Sequence, residues 1–176
     1  MTEQGETVYL AGGCFWGMQE FLREIPGVLE TDVGYTGGPV RNATYRNHAG
    51  HAESVRVVYD PSVLPFAELL GWFYRMHDPT TKDRQGNDIG SSYRSAIFYT
   101  SEEQRAIAEE VTRRLEETGG WDAPVVTEIT AAGEYWLAEP EHQDYLQQRP
   151  GGYTCHFLRP ASVLGDAVTE ETGTRS

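Results

Sequence analysis

From Glu6 to Tyr99 the apolar residues repeat with the periods of strand, helix, strand, strand, helix and strand in turn, an order that few folds accept. Glu6 to Ala11, with Val8, Tyr9 and Leu10, predicts a short buried strand. Met18, Phe21, Leu22 and Ile25 then follow at the i, i+3, i+4, i+7 spacing of a helix stripe. Pro26-Gly27 marks a turn before a second strand over Val28 to Tyr35. Glu53 to Tyr59 is the clearest strand, because Val55, Val57 and Tyr59 alternate with Ser54, Arg56 and Val58. Asp60-Pro61 ends it, and Phe66, Leu69, Leu70 and Phe73 form a second helical stripe with Pro65 suited to its first turn. Arg94 to Tyr99 is a fourth strand. This is the order of a split β-α-β, or ferredoxin-like, unit, and it predicts a single α+β domain.

The remaining chain extends that core. Ser101-x-x-Gln104 is a capping box for a third helix with the inner stripe Ile107, Val111 and Leu115, closed by Gly119-Gly120. Val125 to Ile129 is a candidate further strand, and beyond Ala131 the pattern turns irregular and rich in aromatics. The expected domain covers residues 1–160, and residues 161–176, poor in large apolar side chains, read as a flexible C-terminal tail. Two long polar stretches, Thr36 to Gly50 and Asp78 to Ser92, interrupt the core, and loops of this kind in a compact domain are usually functional or disordered.

The chain carries a net charge of −13, which argues against nucleic acid or an anionic membrane as its main partner. Neither a secretory signal nor a run long enough to span a bilayer is visible, so a cytoplasmic protein with reduced cysteines is expected.

Cys14, one of two cysteines, falls where the first strand gives way to the first helix, after Gly12-Gly13. No Ser, Thr or Asp precedes the helix to occupy its free N–H groups, so a thiolate there is expected to be stabilised and its pKa lowered. Glu53 shares parity with Val55, Val57 and Tyr59, so its carboxyl should face the apolar side, hold its proton and serve as a general acid. Cys155 follows Pro150-Gly151-Gly152, a segment able to bring a second thiol toward the first. Phe15 and Trp16 could wall an apolar site around the sulfur, and Tyr45, Asp88 and Tyr93 come from the polar loops with hydroxyl and carboxylate groups. His48-x-x-His51 and Cys155-His156 lack the paired spacing of a zinc site, and no phosphate-binding glycine motif opens a helix. Neither a metal nor an organic cofactor is expected. On residues alone, a thiol hydrolase using His51 or His142 as base, a thiol peroxidase and an acidic binding domain all stay open.

Gly13-Cys14-Phe15-Trp16-Gly17 resembles the signature of the A-type peptide methionine sulfoxide reductases. Asn42-Ala43-Thr44-Tyr45, Gly50-His51-Ala52-Glu53, Asp78-Pro79-Thr80, Gln85-Gly86-Asn87-Asp88 and Tyr93-Arg94-Ser95 are similar to further motifs of that family in the same order. So are Ala138-Glu139, His142-Gln143-x-Tyr145-Leu146 and Gly152-Tyr153, and the likeness runs from Val8 to Pro160. Ala43 stands where the family often has proline, and a single tail cysteine rules out a relay to a third thiol. The resemblance implies that Cys14 attacks the sulfoxide sulfur, Glu53 gives the proton, and Tyr45 and Tyr93 bind the oxygen. Phe15 and Trp16 would seat the S-methyl group, with Asp88 supporting the site. Cys155 would close a disulfide with Cys14 that thioredoxin or another thiol reductant reopens. The implied substrate is methionine-S-sulfoxide in oxidised proteins or peptides, and possible use of the free amino acid is left open. The expected form is a monomer.

Overall fold

The computed structural model describes residues 5–152, 154 and 156–168. In chain order the elements are β1 (Glu6–Gly12), α1 (Phe15–Leu22), β2 (Val28–Thr36), β3 (Ala52–Tyr59) and α2 (Phe66–Met76), then β4 (Arg84–Gln85), β5 (Asp88–Ile89) and β6 (Ser95–Tyr99). α3 (Glu102–Thr118), β7 (Glu128–Ala131), β8 (Tyr135–Leu137) and α4 (Tyr145–Gln148) complete it. Six strands form one sheet in the order β7-β6-β1-β3-β2-β8. α1 carries the chain from β1 to β2 across a gap that β3 fills, and β1 in turn lies between β3 and β6. That interleaving is the split β-α-β arrangement the periodicity predicts. β7 adds to β6 in parallel and β8 to β2 antiparallel.

The core lies between one face of the sheet and the helices. Val55, Val57 and Tyr59 project to this face beside Leu10 and Val8 of β1 and Val33 of β2. Met18 and Leu22 of α1 and Leu69, Leu70 and Phe73 of α2 cover them with no exposed surface. Each such side chain contributes about 1.5–3 kcal/mol on burial, so this face dominates the stability. α3 starts as expected, with Ser101 Oγ accepting from the Gln104 N–H at 3.1 Å. The Gln104 amide does not return to the cap; it accepts from the Thr100 N–H and donates to the Tyr59 hydroxyl, joining α3 to the sheet. Ile107 is only partly buried, and the inner face of α3 runs through Gln104, Ala108, Val111 and Leu115.

The expected flexible tail needs correcting over its first residues. Ala161–Leu164 forms a 3-10 turn, and Leu164, Ala167 and Val168 are buried. Gly71 of α2 makes the room, since a β-carbon there would stand 3.3–3.4 Å from Val168 and Leu164. Small apolar residues that pack into a glycine gap leave little trace in a hydropathy pattern. Residues 169–176 lie outside the described residues.

The register gathers the polar loops at one end of the sheet. Gly12, the last residue of β1, pairs with Ser95, the first register partner of β6, and Glu53 near the start of β3 pairs with Tyr35 near the end of β2. The start of α1, the 37–51 loop and the β4–β5 hairpin with the Ser91–Tyr93 turn all meet there.

Candidate active site

Cys14 is the N-cap residue of α1, with no side-chain cap bond of its own. The chain reaches it through Gly13 at φ +108°, where a β-carbon would stand 2.8 Å from Gln85 Cγ. Only glycine satisfies both that backbone and that contact. The backbone N–H groups of Trp16 and Gly17 hydrogen-bond the sulfur and favour its anion, as the open helix start predicts. Their effect is outweighed. Cys14 is 6% exposed, and burial, followed by the Glu53 carboxylate, raises the thiol well above its ordinary value. The expected low-pKa thiolate is therefore corrected to a protonated thiol at rest, because desolvation and a neighbouring acid exceed the pull of two N–H dipoles. Iodoacetamide at pH 8 should accordingly alkylate Cys14 at least about tenfold more slowly than an unhindered peptide thiol. Equal or faster alkylation would contradict a raised thiol.

Glu53 is 1% exposed, on the core face of β3 that its parity predicts. Its Oε1 accepts the Phe15 N–H at 3.1 Å, which sets the carboxyl one residue from the cysteine. Burial pushes the carboxyl up to about 8, the Phe15 bond works against that shift, and Asp88 adds to it. A neutral acid is thus stored beside the thiol at pH 7.

The loops bring the remaining polar groups into the same field. Burial, then the Glu53 charge, raises Tyr45 to about 12, and the same causes in the same order hold the Tyr93 phenol above its usual range. Asp88, on β5, acts on Cys14, Glu53, Tyr45 and Tyr93 alike. The hairpin carrying it is fixed by the buried Gln85 amide, which accepts from the Asp78 N–H and donates to the Asp78 carbonyl. The loop carrying Tyr45 is fixed by His51, which accepts from the Gly38 N–H at 3.0 Å and donates to the Val40 carbonyl at 2.7 Å. Both ring nitrogens of His51 are thereby committed to loop structure, so it is no candidate for a base toward Cys14.

The two aromatics after the cysteine differ in placement. Phe15 is fully buried among Tyr35, Tyr45 and His142, with ring centroids 5.6, 6.4 and 5.7 Å away. Trp16 is half-buried, stacks on Tyr145 at 3.7 Å and faces Tyr45 at 6.3 Å. Its indole N–H donates to His142 Nδ1 at 3.1 Å, so this histidine orients the tryptophan. Glu139 joins the cluster by accepting the Tyr35 hydroxyl on one oxygen and the Tyr45 N–H on the other. Sequence reasoning offered His142 only as the base of a thiol hydrolase and gave no role to Tyr35, Glu139 or Tyr145. The available signal was the density of aromatic and polar residues after residue 131, in a stretch without periodicity.

Cys155 lies outside the described residues; its neighbours Thr154 and His156 are described. Among the described residues no three His, Cys, Asp or Glu side chains are grouped to hold a metal ion.

The family model described as peptide methionine sulfoxide reductase matches residues 6–171. A peptide methionine sulfoxide reductase MsrA of Mycolicibacterium paratuberculosis is 62% identical over 160 residues, covering 91% of this chain and 94% of that protein. Among solved structures, Mxr1 of Saccharomyces cerevisiae in reduced form is 32% identical with a TM-score of 0.79, covering 91% of this chain and 95% of that one. Mxr1 in complex with Trx2 has also been solved; it is 26% identical with a TM-score of 0.58, covering 91% of this chain and 94% of that one.

Proposed function

The chain belongs to the peptide methionine sulfoxide reductase family, and from that premise we propose that Cys14 is its nucleophile, Glu53 its acid and Cys155 its resolving thiol. The enzyme reduces methionine-S-sulfoxide at the expense of thiols. The observation that carries the assignment is the Phe15 N–H to Glu53 bond, which ties a buried, protonated carboxyl to the residue next to the cysteine.

A sulfoxide sulfur is electrophilic, but its oxygen leaves poorly unless it is protonated. Glu53 gives its proton to that oxygen while the sulfur of Cys14 attacks the sulfoxide sulfur, and the thiol proton passes to the site that Glu53 has vacated. Tyr45 and Tyr93, whose phenols stay protonated, donate hydrogen bonds to the oxygen. Trp16 presents the apolar surface for the S-methyl group, and the buried Phe15 backs it. A methyl-sized contact contributes only about 0.8 kcal/mol, so this surface orients the substrate more than it holds it. Asp88 supports the site by keeping Glu53 and both phenols protonated. The protonated oxygen then passes from the substrate sulfur to the sulfur of Cys14 as the newly formed S–S bond breaks, so that methionine departs with that electron pair and Cys14 is left as a sulfenic acid. Cys155 condenses with it to a disulfide, and a dithiol reductant of the thioredoxin class restores both thiols, a reading supported by the Mxr1–Trx2 complex. We place the enzyme in the cytoplasm as a monomer acting on oxidised proteins or peptides, without a cofactor.

The test is a stoichiometric assay on the separated R and S sulfoxides of a blocked methionine, without added reductant. Wild-type enzyme should release about one methionine per chain from the S epimer and none from the R epimer. Cys155→Ser should give the same first turnover and then fail to cycle with thioredoxin. Conversion of the R epimer, or sustained thioredoxin-driven turnover by Cys155→Ser, would reject the scheme.

A further inference from the structure

Building on the proposed function, we propose that His156 is a positioning residue for the resolving step. Its imidazole docks the residues that flank Cys155 onto the turn that carries Cys14.

His156 Nε2 lies 2.8 Å from the Gly12 carbonyl oxygen. A carbonyl only accepts, so Nε2 carries the proton and donates it. The ring is 7% exposed, and Nδ1 is buried with no hydrogen-bond partner among the described residues. Within that set, the bond to Gly12 is the polar contact that fixes the ring. Packing supplies the rest. A β-carbon on Gly17 would stand 2.4 Å from His156 Nδ1 and 2.4 Å from Thr154 Oγ1, and one on Gly13 would stand 3.1 Å from His156 Nε2. Gly13 and Gly17 bracket Cys14 and leave a trough that residues 154 and 156 occupy. A glycine inside a helix is a loss relative to alanine, and at position 17 it gives the neighbouring segment access to the helix start.

Other ties hold the described residues around it. The His156 N–H donates to Thr154 Oγ1 at 3.1 Å, which closes a local turn between the two neighbours of Cys155. Farther on, the Arg159 N–H donates to the Arg75 carbonyl, and Arg75 Nε donates to the Arg159 carbonyl. Among the described residues, the Gly12 contact is thus the polar anchor that joins this segment to the strand end leading to Cys14.

The step it serves is balanced by the two sulfurs alone. The sulfur of Cys155 attacks the sulfenic sulfur of Cys14, the S–O bond breaks, and the hydroxyl leaves as water with the thiol proton. The oxidising equivalent is the one taken from the sulfoxide, so no further oxidant is needed. Forming the bond requires the two Cα atoms within about 7 Å, and a docked segment raises the effective concentration of the second thiol.

His156→Leu removes the donor, His156→Asn keeps a polar side chain too short to reach Gly12, and His156→Gln restores a donor of sufficient length. The three are compared with wild type in one quenched turnover, following methionine release, sulfenic acid trapped by a dimedone reagent, and Cys14–Cys155 disulfide. In Leu and Asn, methionine release should keep the wild-type rate, disulfide formation should slow at least about tenfold, the expected loss for one hydrogen bond and its packing, and trapped sulfenic acid should rise. Gln should recover most of the disulfide rate. Wild-type disulfide formation in Leu and Asn, or failure of Gln to recover beyond Asn, would overturn the positioning role. Absence of any Cys14–Cys155 disulfide in wild type would overturn the resolving role of Cys155 and this inference with it.

Discussion

Cys14→Ser is expected to lower reduction of methionine-S-sulfoxide by at least about 10⁴-fold, because a hydroxyl cannot take over a step that ends with oxygen transferred to sulfur. The fold should be indifferent to the change. Serine is a good N-cap residue, and the backbone N–H groups of Trp16 and Gly17 that now face the sulfur would donate to its oxygen. The variant should therefore melt no lower than wild type and still bind substrate, which separates loss of chemistry from loss of structure. The raised thiol makes the result more informative. A resting thiolate would react with any electrophile, whereas a buried thiol held protonated beside Glu53 reacts where a proton acceptor is delivered with the electrophile. A sulfoxide brings both in one group. Residual activity above about 1% of wild type would show that another residue attacks the sulfur.

The scaffold was readable because its signals are local. Strand parity at Val55, Val57 and Tyr59, the helix stripe at Met18 and Leu22, and the cap at Ser101 are each fixed within a few residues, and the sheet order follows from them. β8 and the β4–β5 hairpin escaped, since strands of three and two residues carry too little alternation to stand out. The parity that placed Val55 in the core also placed Glu53 there, so the buried acid was legible in the strand pattern.

The electrostatics of Cys14 were not readable in the same way. The N–H groups that favour its anion come from the next turn of chain, whereas the stronger opposing effects come from burial and from Glu53 on another strand. A local motif reports the first kind of effect and is silent on the second. Tyr45, Asp88 and Tyr93 pose the same problem at longer range. They meet because His51 and Gln85 hold two loops through side-chain bonds to backbone, and such bonds have no periodicity. Trp16 shows the reverse case: its position beside Cys14 suggested a pocket wall, but its orientation depends on His142 and Tyr145, far along the chain.

Glu53→Gln separates the acid from the fold, and its expected effect is second only to loss of the nucleophile. Glutamine keeps the size of the side chain and an oxygen that can accept the Phe15 N–H, so the turn after Cys14 is preserved. It has no proton to give at neutral pH. The chemical step should slow by about 10²–10⁴-fold, the usual contribution of a positioned general acid, with little change in thermal stability. The pH profile supplies an independent sign. Burial raises Glu53 to about 8, so the reactive protonated form dominates below that value and is lost as pH rises through it. The single-turnover rate of wild type should thus be level near pH 6–7 and fall about tenfold per unit well above pH 8. Ionised Glu53 also pushes the Cys14 thiol further up, so loss of the acid and suppression of the nucleophile act on the same limb. In Glu53→Gln that limb should vanish, leaving a slow rate that is flat or rising with pH as the thiol ionises. A wild-type rate that increases through pH 8, or a Gln variant that retains the falling limb, would assign the proton to another group; Tyr45, with its phenol raised to about 12 by burial and the Glu53 charge, would be the next to test.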